Sequence, residues 1–335
     1  LNVDFLKRRV VILGQGALAE AVSNYLRKDG SGHLRCVGRL AQGQSANAST
    51  ISLGNIVARA RPFARPAPYA RMAESLHAEE IVVATDDRRG LPVEELLRCR
   101  LQGIQVTDYL SFWEREAGQI DIDHVDAGWL AFAEGFRLNL ARRAVKRVVD
   151  VAVSSLFLIL SLPLMLIVAA LIKLESRGPV FFTQDRVGLD GKIFKVFKLR
   201  SMRVDAERDG VPRWATQDDD RTTRVGRFIR KVRIDEFPQV INVSQGDMIF
   251  IGPRPERPFF VDQIRKEIPF YDLRQRVPPG ITGWAQVNYP YGASIEDAKK
   301  KLAYDLYYVK NNDLLLDFAI LVQTVRVIFF AHGSR

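Results

Sequence analysis

The sequence predicts an α/β protein in two parts: a Rossmann-like parallel-sheet domain, then a mostly α-helical, membrane-associated domain with a re-entrant hydrophobic helix and a small β-hairpin. Three features predict it: short apolar runs alternating with helical segments in the front part, a glycine turn after the first run, and 22 uncharged residues from Val151 to Ile172. Alternating strand and helix signals are the pattern of a parallel sheet with helices on both faces. The uncharged run is long enough for a bilayer core at ~1.5 Å per residue. The 335 residues accordingly divide into a domain over 1–125, a linker over 126–145 and a membrane-associated domain over 146–335, whose re-entrant helix covers about 148–173.

In the front part, Arg9–Leu13 is a short apolar strand, Gly14–Ala19 a glycine turn and Glu20–Lys28 the helix that continues it. Leu34–Gly38 and Ile81–Thr85 read as the next strands, Val93–Leu101 as a helix and Ile104–Val106 as a fourth strand. The stretch from Gln42 to Pro68, rich in Gly, Ser, Ala, Arg and Pro, reads as a long connection. Gly14, Gly16 and Ala19 fit the G-x-G-x-x-G/A turn, in which a pyrophosphate meets backbone N–H groups at a helix N-terminus. Arg39 and Leu40 stand where the ribose-binding acid should be, so the favoured reading is a tight turn without a cofactor. Asp86 and Asp87, after the third strand, read as a solvated loop ahead of a ligand contact.

Composition narrows the partners without choosing one. Forty-nine Lys+Arg against 39 Asp+Glu leave a charge of +10, which points to nucleic acid, phosphorylated metabolites or an acidic membrane surface. Cys36 and Cys99 make no CxxC, and His33, His77, His124 and His332 are scattered singly. That argues against a disulfide framework or zinc site and fits a reducing cytosolic setting. The N-terminal residues carry no signal-peptide pattern.

Within the hydrophobic run, Pro163 lacks the N–H that would bond the carbonyl of Ile159, and Ser161 is close enough to satisfy a freed carbonyl. Arg142, Arg143, Lys146 and Arg147 precede the run, and Lys173 and Arg177 follow it, so neither flank has the low positive charge of a translocated side. A helix broken at Ser161 and Pro163 that returns to the same face is therefore expected, in preference to a straight span. The final stretch, Leu314–Phe330, suits a helix in the membrane interface or in a core.

Behind the run, two β-rich segments meet at Asp190-Gly191, a hairpin signal. Arg221, Arg224, Arg227, Arg230, Lys231 and Arg233 lie within thirteen residues, several at i, i+3 spacing, and Asp235 and Glu236 follow at once. A cationic field keeps neighbouring carboxylates ionised and attracts polyphosphate. An ionised carboxylate can attack phosphorus, and its neighbour can hold Mg²⁺ against phosphate oxygens. Taken alone, such a pair is most often a surface ion-pair network. Gly252-Pro-Arg-Pro255 stiffens Arg254 for bidentate anion binding, and Pro278–Asn288 is a second rigid turn; a pair of structural loops explains both almost as well. Asp305, an acid among aromatics, reads as a structural acceptor ahead of a reacting group.

In order, Lys146-Arg147 with Asp150, the proline-containing hydrophobic helix, Gly178-Pro179, Gln184-x-Arg186-x-Gly188 and Lys198-x-Arg200-Ser-Met202 stand along the rear half. Arg230 before Asp235-Glu236, Gly246-Asp-Met248, Gly252-Pro-Arg-Pro255, Pro279–Asn288 and Asp305-x-Tyr307-Tyr308-Val-Lys310 complete the series. With these motifs, residues 140–335 resemble the bacterial sugar transferases, the monotopic phosphoglycosyl transferases of exopolysaccharide assembly. The front half is similar to the Rossmann-like domain of the long members, which usually carry further transmembrane helices ahead of it.

The resemblance implies that Asp235 attacks the β-phosphate of a nucleoside diphosphate sugar, a UDP-sugar by expectation, and expels the nucleoside monophosphate. A polyprenyl phosphate, undecaprenyl phosphate by expectation, then takes the sugar-phosphate in a ping-pong route that initiates exopolysaccharide synthesis. By the same resemblance Asp235 and Glu236 hold Mg²⁺, Arg254 and Arg230 hold phosphates, and Asp305, Lys198, Arg200 and Gln286 complete the substrate-binding set. The enzyme is placed at the cytosolic face of a bacterial inner membrane, with membrane lipid as a partner and a homodimer through the front domain as an expectation. Two rivals are weighed: a non-catalytic, membrane-attached nucleotide sensor or scaffold using the Gly14–Gly16 turn, and a nucleic-acid-binding protein. No basic recognition helix with base-reading side chains supports the latter, so nucleic acid is not an expected partner.

Overall fold

A computed structural model describes residues 7–27, 32–40, 50–53, 56–59, 68–133, 135–136, 140–206, 219–290, 292 and 294–330. The chain forms two compact units, Leu1–His124 and Val125–Arg335.

The first unit holds β1 (Arg8–Leu13), α1 (Ala17–Arg27), β2 (Leu34–Leu40), β3 (Thr50–Leu53), β4 (Ile56–Arg59), α2 (Pro68–Ser75), β5 (Glu80–Val83), α3 (Val93–Leu101), β6 (Gln105–Asp108) and α4 (Tyr109–Ala117). Its main sheet is parallel throughout, in the order β2-β1-β5-β6. Val10 to Leu13 are buried without exception, as in a strand covered on both faces. Val11 and Leu13 pack with Ala70, Met72, Leu96 and Cys99 of α2 and α3. Period-two alternation turns Val10 and Ile12 to the other face, where Tyr25 of α1 meets the Phe112 ring of α4 edge-on.

The stretch expected as one long connection carries an antiparallel hairpin, Thr50↔Arg59 to Leu53↔Ile56. This corrects the expectation: Thr50-Ile-Ser-Leu53 and Ile56-Val-Ala-Arg59 are β-rich runs diluted by small and basic neighbours. The remainder, 41–49, 54–55 and 60–67, lies outside the described residues.

The second unit begins with α5 (Ala127–Phe132), inside the segment expected as linker, and α6 (Leu140–Glu175). It continues through β7 (Phe181–Val187), β8 (Ile193–Leu199), α7 (Arg224–Lys231), α8 (Gln239–Gln245), β9 (Ile249–Ile251), α9 (Pro258–Glu267), β10 (Gly280–Thr282), α10 (Trp284–Asn288), α11 (Ile295–Asn311) and α12 (Leu314–Phe330). β7 and β8 form the expected hairpin, turning through Asp190 and Gly191 with φ of 51° and 80°. β9 and β10 are a short parallel pair.

α6 is long and apolar enough to cross a membrane by length and composition. It runs as one helix with Pro163 inside it. The Ser161 hydroxyl donates to the Leu158 carbonyl at 3.4 Å, one residue short of the carbonyl that proline frees. Asp150, Ser154, Ser161, Met165, Val168 and Ile172, spaced three, four or seven apart, make a buried stripe along its length. The outer face is apolar and exposed, with Leu156 at 59%, Ile159 at 70% and Leu160 at 71%.

Both ends of α6 are tied to the same unit. Lys146 donates to the Ile251 carbonyl, the Tyr308 hydroxyl and Asp317 at 3.1, 2.8 and 2.8 Å. Arg147 donates to the carbonyls of Val243 and Ser244 at 2.5 and 2.6 Å, capping the C-terminus of α8. At the other end the Glu175 carboxylate accepts from the N–H groups of Arg224 and Val225, at the start of α7.

Candidate active site

Asp235 and Glu236 lie in a single 3₁₀ turn, Ile234–Glu236, between α7 and α8. Arg233 enters the turn in the left-handed region, φ 58°. The residues on either side fasten it to α6. Ile234 packs with Val168, Ile172, Leu199 and Ile229, and the Phe237 ring meets Phe157 edge-on at 5.0 Å. Asn242 of α8 sews that helix to β8, accepting from Phe197 N–H and donating to the Lys195 carbonyl. Lys198, on β8, therefore reaches the dyad from a fixed strand.

Glu236 accepts from Lys198 at 3.0 Å and from Arg254 at 2.5 Å on the same oxygen; its other oxygen meets Arg254 at 3.5 Å. Burial would raise its pKa, but Arg254 and Lys198 overcome that and hold the carboxyl well below its ordinary range. Asp235 differs. It is 8% exposed, and among the described residues nothing donates a hydrogen bond to it. Burial pushes its carboxyl up to about 6; Lys198 opposes the rise, Glu236 adds to it, and Arg230 and Arg254 oppose it. Arg254 and Lys198 thus keep Glu236 ionised, whereas at Asp235 desolvation outweighs three cations and raises the carboxyl above its ordinary range. Burial also lowers the pKa of Lys198.

Of the six cations read as one cluster, Arg230 is the one that acts on Asp235, while it donates to Thr222 at 3.1 Å. Arg221 forms a bidentate pair with Asp219, whose carboxyl falls to about 2 chiefly through that hydrogen bonding. Arg224, Arg227, Lys231 and Arg233 are exposed.

The Arg254 loop is built by close backbone approach. Gly252 N–H donates to the Thr282 carbonyl and Gly280 N–H to the Pro253 carbonyl; a Cβ at Gly280 would lie 2.1 Å from Gly252 N. Arg186 donates to the Pro255 carbonyl at 3.1 Å and to Gln184 at 2.7 Å. Arg274 donates to the Arg254 carbonyl at 2.8 Å and pairs with Asp305 at 2.7 Å.

Three expected substrate contacts look different in place. Asp305 is 2% exposed and engaged by Arg274, so it is a buried counter-ion and not open to a ligand. Arg200 spends its terminal nitrogens on the Ser176 and Arg177 carbonyls, bracing the end of α6. Gln286 donates to the Ile281 carbonyl, and its buried Oε1 has no partner among the described residues. Arg274, Arg186 and the Lys146–Tyr308–Asp317 cluster were not singled out as functional from sequence. A buried acid such as Asp305 demands a cation, and Arg274 was the signal for one.

No group of three or more His, Cys, Asp or Glu side chains among the described residues can cage a metal. Mg²⁺ does not require one, because it is commonly held by one or two carboxylates together with substrate phosphates. Asp235 and Glu236 fit that donor set, with Asp235 uncommitted.

In the first unit, the glycine turn is closed from within. Asp86 accepts from the N–H groups of Ala17 and Leu18 at 3.0 and 3.1 Å, filling the N-terminus of α1 where a pyrophosphate would sit. Gly16, φ 95°, makes room for it: a Cβ there would lie 2.0 Å from Asp86 Oδ2. Arg39 donates to the Gly14 carbonyl at 3.1 Å. Asp86 lies in an exposed loop, as the sequence predicts, and there also caps the helix; Asp87 is exposed too and pairs with Arg89.

The model of the family described as "Bacterial sugar transferase" matches residues 141–331. A UDP-N-acetylgalactosamine-undecaprenyl-phosphate N-acetylgalactosaminephosphotransferase of Aeromonas hydrophila is 45% identical over 251 residues, 75% of this chain and 58% of that protein. A UDP-glucose:undecaprenyl-phosphate glucose-1-phosphate transferase of Escherichia coli K12 is 43% identical over 190 residues, 56% of this chain and 41% of that protein. One of the same name from Caulobacter vibrioides is 36% identical over 255 residues, 71% of this chain and 95% of that protein. The chain spans about half the length of the first two relatives.

Proposed function

From the premise that the chain belongs to the bacterial sugar transferase family, we propose that it moves a sugar 1-phosphate from a UDP-sugar to undecaprenyl phosphate through an aspartyl intermediate. The observation that carries this reading is Asp235: buried, free of hydrogen bonds among the described residues, beside Glu236 and within the field of Lys198, Arg230 and Arg254. Phosphoryl transfer asks mostly for positioning and charge neutralisation.

In the first half-reaction an Asp235 oxygen attacks the β-phosphorus. The new O–P bond forms as the bond to the bridging oxygen breaks, and UMP leaves with that electron pair. In the second, a phosphate oxygen of undecaprenyl phosphate attacks the same phosphorus and the Asp235 carboxylate departs. Lys198 and Arg230 offset phosphate charge in both, and Arg254 offsets that of the donor diphosphate in the first. Mg²⁺, held by Asp235, Glu236 and the diphosphate, would supply further neutralisation when bound. The apolar outer face of α6 supports seating in a membrane, which brings the dyad turn to a lipid-borne phosphate. A position on the cytosolic face of a bacterial inner membrane, and a first step in exopolysaccharide assembly, complete the proposal. The rival nucleotide sensor loses its main support, because Asp86 fills the seat it needs.

The test uses the full chain in detergent with Mg²⁺, undecaprenyl phosphate, and UDP-N-acetylgalactosamine or UDP-glucose. UMP release and a sugar-phosphate mass adduct on the protein are expected, and both should vanish in Asp235→Asn. Undiminished UMP release by that variant refutes the assignment.

A further inference from the structure

We propose that Arg274 is a positioning residue for the phosphate clamp, acting through the main chain of Arg254. The inference rests on Arg254 serving as a donor-phosphate ligand, as proposed above.

Arg274 is 8% exposed and lies in the 3₁₀ segment Tyr271–Arg276. Each arm of its guanidinium has an assignment. Nε and Nη2 hold Asp305 of α11, at 2.9 and 2.7 Å; Nη1 donates to the Tyr271 hydroxyl at 3.0 Å; and Nη2 also donates to the Arg254 carbonyl at 2.8 Å. The neutralised pair thus joins α11 to the backbone of the one loop residue whose side chain reaches Glu236. Arg186, on β7, grips the next carbonyl along the chain, that of Pro255, at 3.1 Å. Between these two grips the peptide of Arg254 has little freedom, so its side chain is pre-set and loses little entropy on meeting an anion. A lysine at 274 keeps the charge and loses the planar fork, so it cannot hold Asp305 and the Arg254 carbonyl together in the same geometry. Removal of Arg254's own charge should therefore erase most of what Arg274 contributes.

In ping-pong kinetics kcat/KM for each substrate reports its own half-reaction. The experiment compares the full chain with Arg274→Lys, Asp305→Asn, Arg254→Ala and Arg254→Ala/Arg274→Lys, reading UDP affinity by calorimetry and initial rates with UDP-N-acetylgalactosamine and undecaprenyl phosphate. Arg274→Lys is expected to weaken UDP binding and donor kcat/KM about tenfold while leaving undecaprenyl phosphate kcat/KM unchanged. In the Arg254→Ala background it should add less than about twofold, since coupled residues are non-additive. Asp305→Asn should show the same split to a smaller degree. Losses that multiply in full, or donor and acceptor kcat/KM falling together as they do when fewer molecules are folded, overturn the inference. A wild-type chain that binds UDP and releases no UMP refutes the transfer reading, and the UDP-affinity cycle still decides the role of Arg274.

Discussion

The two units each contain a turn suited to an anion, and they treat it in opposite ways. In the first, the N–H groups at the head of α1 are satisfied by a carboxylate of the same chain, Asp86, delivered from the end of β5. In the second, three cations surround a carboxyl that is buried and left without a hydrogen bond among the described residues. A motif that looks like a phosphate seat can be a finished structural joint, whereas a reactive site carries unspent capacity. The energetic signature differs too: Asp86 stabilises what it touches, while Asp235 costs stability by being charged where it is.

The largest effect expected from that difference is at Asp235. Replacing it by Asn should lower UMP release by at least about 10⁴-fold, the scale of losing a covalent nucleophile. Next comes Arg254→Ala, which removes a charge-assisted contact and should lower donor kcat/KM about 10- to 100-fold. The acid limb of activity provides a third break point. Asp235 must be ionised to attack, and its carboxyl sits at about 6, so donor kcat/KM should fall tenfold per unit as pH drops below about 6.

Stability should move the other way. The folded state holds the Asp235 proton more tightly than the unfolded chain does, so stability declines as pH rises from about 4 through 6. Asp235→Asn is therefore expected to be inactive yet more stable at pH 7, by up to about 3 kcal/mol, with the gain absent below pH ~4; paired thermal melts measure this. The smallest effect belongs to the closed turn. Asp86→Ala should cost about 1 kcal/mol by uncapping α1 and leave UMP release unchanged, and altered turnover there would break the contrast.

Local signals in the sequence were enough for the elements that depend on neighbours along the chain. Val10–Leu13 with its glycine turn, the Asp190-Gly191 hairpin and the uncharged run all have their cause within a few residues. What could not be read depends on pairing across the chain. Asp86 becomes a cap once β5 lies beside β1, and Arg274 becomes a brace once Asp305 is brought to it from α11. The Asp235-Glu236 pair was legible as a site, but its asymmetry was not: two adjacent carboxyls differ because one points at Lys198 and Arg254 and the other is buried without a donor. The surroundings of Asp305 and Arg200 were illegible for a shared reason, since a charged residue in a motif looks the same whether it meets a ligand, a buried counter-ion such as Arg274 or a backbone carbonyl.

Ile234 and Phe237 bracket the Asp235-Glu236 pair, and both lean on α6. Two side-chain contacts join the proposed nucleophile directly to the long apolar helix. Under the proposed function, a change of lipid or detergent around that helix would reach the carboxyl through these two side chains, and turnover is expected to depend on the medium in which the helix sits.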